Sequence, residues 1–206
     1  MRCLLFKCAN QDFHSDIPTQ SGACGVLWSL SMAPADRKHV AQLGGCKAIL
    51  NAMLAHVNVV ALQVMALGAL KVLSFDDTSK NILRSRGALS IVGDVMQKHL
   101  DNPTIQSEGC VTLGNLSVDS ASQSVIPVSL SVIDAIIKAM LGHPDSFEVH
   151  ESACFTLMSL ASSSDNVRLI RTNDMSRLAL ELSLQKFPDA VGVNILNLLR
   201  RLRFDD

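Results

Sequence analysis

With 206 residues, the chain is long enough for one sizeable core or a short array of repeated units. It is 48% hydrophobic but only 4% aromatic and has no tyrosine, which suits closely approaching helices and argues against an ordinary all-β domain. Eighteen basic residues against nineteen acidic ones give a net charge of −1, so the basic excess that neutralises phosphates is missing and nucleic acid is excluded as a partner.

From the start of the chain, Met1-Arg-Cys-Leu-Leu-Phe6 is interrupted too early by Lys7 to serve as a secretory signal. No run of 18 apolar residues follows anywhere, so no membrane span is expected. The six cysteines then belong to a reducing compartment, and the expected location is the cytoplasm, with the nucleus also open. Residues 1–32 read as the second and third helices of a unit that lacks its first, leaving Leu4, Leu5 and Phe6 without a covering helix. Such an uncovered start fits a fragment of a longer protein.

From Gln20 onward the chain repeats itself. Gln20 to Ser31, Gln63 to Ser74, Gln106 to Ser117 and His150 to Ala161 align without gaps at offsets of 43, 43 and 44 residues. Each carries Leu-x-x-Leu (Leu27/Leu30, Leu70/Leu73, Leu113/Leu116, Leu157/Leu160) with a small residue one turn earlier at Ala23, Ala66, Gly109 or Ala153. Spacings of three, four and seven put these on one helical face, the buried edge of a long helix. A second landmark keeps the same period: Gly44, Gly87 and Ser131 each open an aliphatic helix ending in Met-x-x-His, at Met53/His56, Met96/His99 and Met140/His143. Polar-apolar stretches at Asp36 to Leu43, Thr78 to Arg86 and Asp165 to Thr172 fit a short first helix. Turns such as Leu100-Asp-Asn-Pro103 and His143-Pro-Asp-Ser146 stop one helix and cap the next. The expected units, each a short, a medium and a long helix, are 33–75, 76–118, 119–162 and 163–206. The last diverges most, with Asp174 in the glycine position and Phe187 beyond a weaker second helix.

Three-helix units of this length, with a glycine-plus-aliphatic second helix and the Leu113-Gly-Asn-Leu-Ser117 ending of the third, resemble the armadillo family over nearly the whole chain; the two-helix HEAT class is the rival. The resemblance implies an all-α fold, a right-handed α-solenoid superhelix forming a single domain over 1–206. It also implies that the third helices line a concave groove for a partner protein or peptide segment. The groove positions are then Gly25, Trp28 and Ser29; Gly68, Lys71 and Val72; Val111 and Asn115; and Phe155, Met158 and Ser159. Of these, Trp28, Ser29, Lys71, Asn115, Phe155 and Ser159 are the candidate partner-binding residues. Trp28 and Phe155 are apolar anchors, and Asn115 offers an amide to a peptide backbone. For Trp28 and Phe155 a core role stays equally open, and for Asn115 a structural bond to a neighbouring helix. Nuclear-import adaptors of the family carry a ladder of Trp and Asn four apart; here those pairs read Gly25/Ser29, Gly68/Val72, Val111/Asn115 and Phe155/Ser159, which argues against that subclass.

Polar pairs at Lys47/Asn51, Ser90/Asp94, Asp134/Lys138 and Arg177/Glu181 read as the solvated convex face. Arg200, Arg201 and Arg203 read as a solvated helix end that meets the dipole. Cys24, Cys110 and Cys154 share one repeat position with Leu67, the behaviour of a small core hydrophobe. Cys3, Cys8 and His14 lack a Cys-x-x-Cys partner for zinc. His56, His99 and His143 recur near helix ends, where they can satisfy terminal carbonyls. The serine run Ser159-Leu-Ala-Ser-Ser-Ser164 reads as a helix end and turn. Neither a phosphate-cradling loop nor a serine nucleophile elbow occurs. The chain therefore reads as a non-catalytic binding scaffold with no cofactor, metal or small-molecule substrate. The alternatives are a regulatory armadillo segment of a larger enzyme such as a kinase, or a HEAT-like adaptor.

Overall fold

The computed structural model describes residues 16–119 and 124–204. These form twelve helices and one minimal hairpin. In order they are α1 Ile17–Ser31, α2 Pro34–Gln42, α3 Gly45–Ala55, α4 Val60–Leu73, α5 Asp77–Ser85, α6 Ala88–Lys98, α7 Pro103–Ser117, β1 Val118–Asp119, β2 Ser124–Val125, α8 Leu130–Gly142, α9 Phe147–Leu160, α10 Ser164–Thr172, α11 Ser176–Lys186 and α12 Pro188–Leu202. The protein is all-α, and among the described residues no helix is long and apolar enough to cross a membrane.

Local chemistry sets the breaks. Proline begins α2, α7 and α12, where its missing N–H costs nothing. Asp76, Asn102 and Ser146 cap α5, α7 and α9 by accepting from the backbone N–H three residues on. At the corners between α2 and α3 and between α5 and α6, Gly44 and Gly87 sit at φ of 93° and 74°, a backbone state that a side chain would strain. The corresponding corner before α11 has no left-handed residue. Asn173 closes it instead, its side-chain oxygen accepting from the Met175 N–H at 3.1 Å, so Asp174 can stand where a glycine would.

Each long helix packs on the next, in the order α1, α4, α7, α9, α12. The medium helices α3, α6, α8 and α11 form a parallel succession, and α2 packs on α5. Leu27, Leu70, Leu73, Leu113, Leu116, Leu157 and Leu160 are buried between the long helices. Ile49, Met53, Val92, Met96, Ile133, Ile136 and Met140 fill the space behind them. The repeated leucine and aliphatic positions are thus the core.

The unit 119–162 departs from the expected short-medium-long pattern: among its described residues, no helix precedes α8. Val118 pairs with Val125 and Asp119 with Ser124, and an extended stretch then leads to Ser129, the N-cap of α8. Pro127 and the β-branched Val125, Ile126 and Val128 disfavour a helix there. Neighbouring helices hold this segment on both sides. Arg84 of α5 donates to the Leu116 and Val118 carbonyls, both at 2.6 Å. From α10, buried Asn166 accepts from the Val128 N–H at 3.0 Å and donates to the Ile126 carbonyl at 3.1 Å.

Two polar motifs repeat with the helices. Buried Gln63 donates to the Met53 and His56 carbonyls, each at 3.0 Å, and Gln106 donates to those of Met96 and His99, each at 2.8 Å. These bonds tie the start of a long helix to the end of the medium helix before it. His99 and His143 act between units and not, as expected, on their own helix ends. His99 Nε2 donates to the Val57 carbonyl at 2.6 Å, and His143 Nε2 to the Leu100 carbonyl at 2.7 Å.

In α9 the glutamine position is held by His150, buried, with Nδ1 in a hydrogen bond to the Ser183 hydroxyl. Burial holds its pKa below the ordinary value, opposed only in part by the nearby backbone of His143 and Met140. Its neutral ring contributes stability that is fully present above the unfolded pKa of about 6.5 and is lost as pH falls through it. His150→Gln, which restores the residue of the other units, should leave stability at pH 7.5 within about 1 kcal/mol of the parent. The variant should lose less stability than the parent between pH 7 and pH 5, as read by urea unfolding across that range.

Candidate partner-binding face

The candidate residues lie on one side of the long helices, in three aligned rows. Gly25, Gly68, Val111 and Phe155 form the first; Trp28, Lys71, Gly114 and Met158 the second; Ser29, Val72, Asn115 and Ser159 the third. The helical repeat brings these positions to a common face. The two ends of the face differ in character.

At the α1–α4–α7 end, the side chains are engaged with one another. Half-buried Trp28 lays its indole against Gly68: a Cβ placed there would come within 2.9 Å of ring atoms Cδ2, Cε2 and Cε3. Trp28 therefore bridges α1 and α4 and is not a free anchor. Lys71 Nζ meets the Glu108 carboxylate on α7 at 2.7 Å, cancelling both charges. Asn115 Nδ2 donates to Ser74 Oγ at 3.0 Å, and Ser74 Oγ donates to the Lys71 carbonyl at 2.6 Å. The Asn115 amide thus closes the C-terminal end of α4, the structural role left open by the sequence. Val72 and Gly68 are buried, whereas Ser29 is exposed beside Trp28.

At the α9–α12 end the face is open. Phe155 is 58% exposed, Met158 is half-buried, and Ser159 returns its hydroxyl to the Phe155 carbonyl at 3.1 Å. The rows continue onto α12, which the sequence reading left out. Val191, Ile195 and Leu198 repeat the spacing of Ala153, Leu157 and Leu160 at an offset shortened to 38 residues. Part of the shortening lies before the long helix, where Phe187 alone joins α11 to α12 while residues 143–146 join α8 to α9. That alignment puts Val193, Leu196 and Asn197 beside Phe155, Met158 and Ser159 in the rows. Val193 is 74% exposed and Leu196 43%.

Burial sets the chemistry of the thiols. Cys24, Cys46, Cys110 and Cys154 are free and buried. Loss of water raises the pKa of Cys24 and Cys46 to about 12 and that of Cys154 to about 11, with Cys110 also raised, so all four are protonated at neutral pH. Among the described residues, no three His, Cys, Asp or Glu side chains converge as a ligand set. Cys3, Cys8 and His14 lie outside the described residues. On the opposite side, Asp134/Lys138 and Arg177/Glu181 form ion pairs at 2.7 and 2.8 Å along α8 and α11. Lys47, Ser90 and Asp94 are likewise exposed.

No protein-family profile matches the chain, and no curated protein is significantly similar to it.

The Trp28–Gly68 contact makes a quantitative prediction. Gly68→Ala should cost about 1–3 kcal/mol by overpacking against the indole. In the Trp28→Ala background the same change should cost much less, because the ring it strikes is gone. A double-mutant cycle by chemical denaturation reads the coupling directly; additive effects would show that the two residues do not touch.

Proposed function

We propose that the chain is a non-catalytic armadillo-type α-solenoid that binds a segment of a partner protein on the open end of its long-helix face. The observation that carries this reading is the change in exposure along one structural row. Gly68 is buried beneath Trp28, while Phe155 and Val193 stand 58% and 74% exposed. Large apolar side chains grouped on a face built by two packed helices are the usual anchors of a protein interface. Period, unit order and the glycine corners between first and second helices support the armadillo assignment. The role of scaffold is supported by protonated, buried thiols and by histidines committed to backbone bonds between units.

Photo-crosslinking tests the reading. A photoreactive amino acid placed at Phe155 or at Val193 should crosslink to the same polypeptide from a cell lysate, while one placed at Lys138 should not. The variant Phe155→Asp/Val193→Asp should retain its helical circular dichroism, since both positions are exposed, and lose that polypeptide in affinity capture. Equal crosslinking from Lys138, or undiminished capture by the double variant, would overturn the assignment of the face.

A further inference from the structure

The open patch does not end in neutral surface. On α12, Leu196, Asn197 and Arg200 follow Val193 at offsets of three, four and seven, one helical stripe that passes from apolar to cationic. Next to its end is a shallow depression where the turn after α9, the start of α10 and the end of α12 meet, lined by Ser162, Ser164, Arg168 and Arg201 among others. Both arginines are exposed, and neither forms an ion pair among the described residues. Asp165, the nearest acid in sequence to Arg168, is not part of the lining. At the other end of the face, by contrast, Lys71 is neutralised by Glu108.

Building on the proposed function, we propose that the partner segment is acidic. Its bulky apolar side chains sit on Phe155, Val193 and Leu196, and its Asp or Glu side chains enter the depression between Arg168 and Arg201. Guanidinium groups suit this because their forked N–H donors match a carboxylate edge to edge. Geometry also sets a spacing. Leu196 and Arg201 are five residues apart on the helix, roughly 7–8 Å along its axis and about 140° around it, so their side-chain ends stand roughly 13 Å apart. An extended segment covers that in about four residues at roughly 3.3 Å each. The acidic position should therefore lie three to five residues from the apolar anchor.

A random-peptide display library selected on the full chain tests this. Enriched peptides should carry one or two bulky apolar residues with Asp or Glu three to five positions away. A synthetic enriched peptide should bind Arg168→Ala/Arg201→Ala about tenfold more weakly than the parent, and its affinity should fall as salt rises. Peptides enriched without acidic preference, yet still dependent on Phe155 and Val193, would overturn the acidic partner while leaving the groove reading intact. Enriched peptides whose binding ignores Phe155 and Val193, or no enrichment at all, would remove both. If the chain instead forms a dimer in sedimentation that Phe155→Asp/Val193→Asp dissolves, the occupant is a second copy and the acidic-segment proposal fails.

Discussion

The apolar edge of each long helix is covered by its neighbours in the row, and the rest of the structure depends on that mutual cover. Leu70 and Leu73, Leu113 and Leu116, and Leu157 and Leu160 lose essentially all contact with water in this way. Each such side chain contributes roughly 1.5–3 kcal/mol relative to exposure. Gly109 leaves room behind this row for Met96 of α6, whose side chain would lie 2.6 Å from a Cβ placed there. A helix within the row has a covering neighbour on both sides.

Apolar packing alone would leave the long helices free to slide, and the buried polar bonds oppose this. Gln63 and Gln106 each hold two carbonyls of the preceding medium helix, so the angle between the two helices in a unit is set by hydrogen bonds that cannot be exchanged for water. His99 and His143 reach back one unit to the carbonyls of Val57 and Leu100. Glutamines thus fix the geometry within units and histidines the geometry between them. Where His150 stands in the glutamine position, its ring bonds instead to the Ser183 hydroxyl of α11, and burial makes that contact sensitive to pH.

Ahead of α8, the described residues 118–119 and 124–129 take partners from α5 and α10. Arg84 and Asn166 satisfy backbone groups that a helix would have paired for itself. A residue far away in sequence can therefore stand in for a local hydrogen-bond ladder.

Period, helix order and core were legible in the sequence because they rest on local rules. Leucines three apart, with a small residue one turn before, specify a buried helix edge, which Leu30 alone of the eight meets only half-buried, and Gly44 and Gly87 mark corners through their own backbone freedom. Gln63 and Gln106 align in the repeat, but what they hold lies seven to ten residues away across a turn, which the alignment does not reveal. Candidate site residues were legible only as a row. Trp28, Lys71 and Asn115 are spoken for by Gly68, Glu108 and Ser74, each on another helix, and a one-dimensional pattern contains no record of such pairings. Val193 and Leu196 escaped because the shortened connection at Phe187 broke the period while the packing continued. Which residues turn inward follows from helical spacing and hydrophobicity, and a linear pattern carries both. Which outward-facing residues remain free depends on what a neighbouring helix places opposite them, and that exists only once the helices have packed.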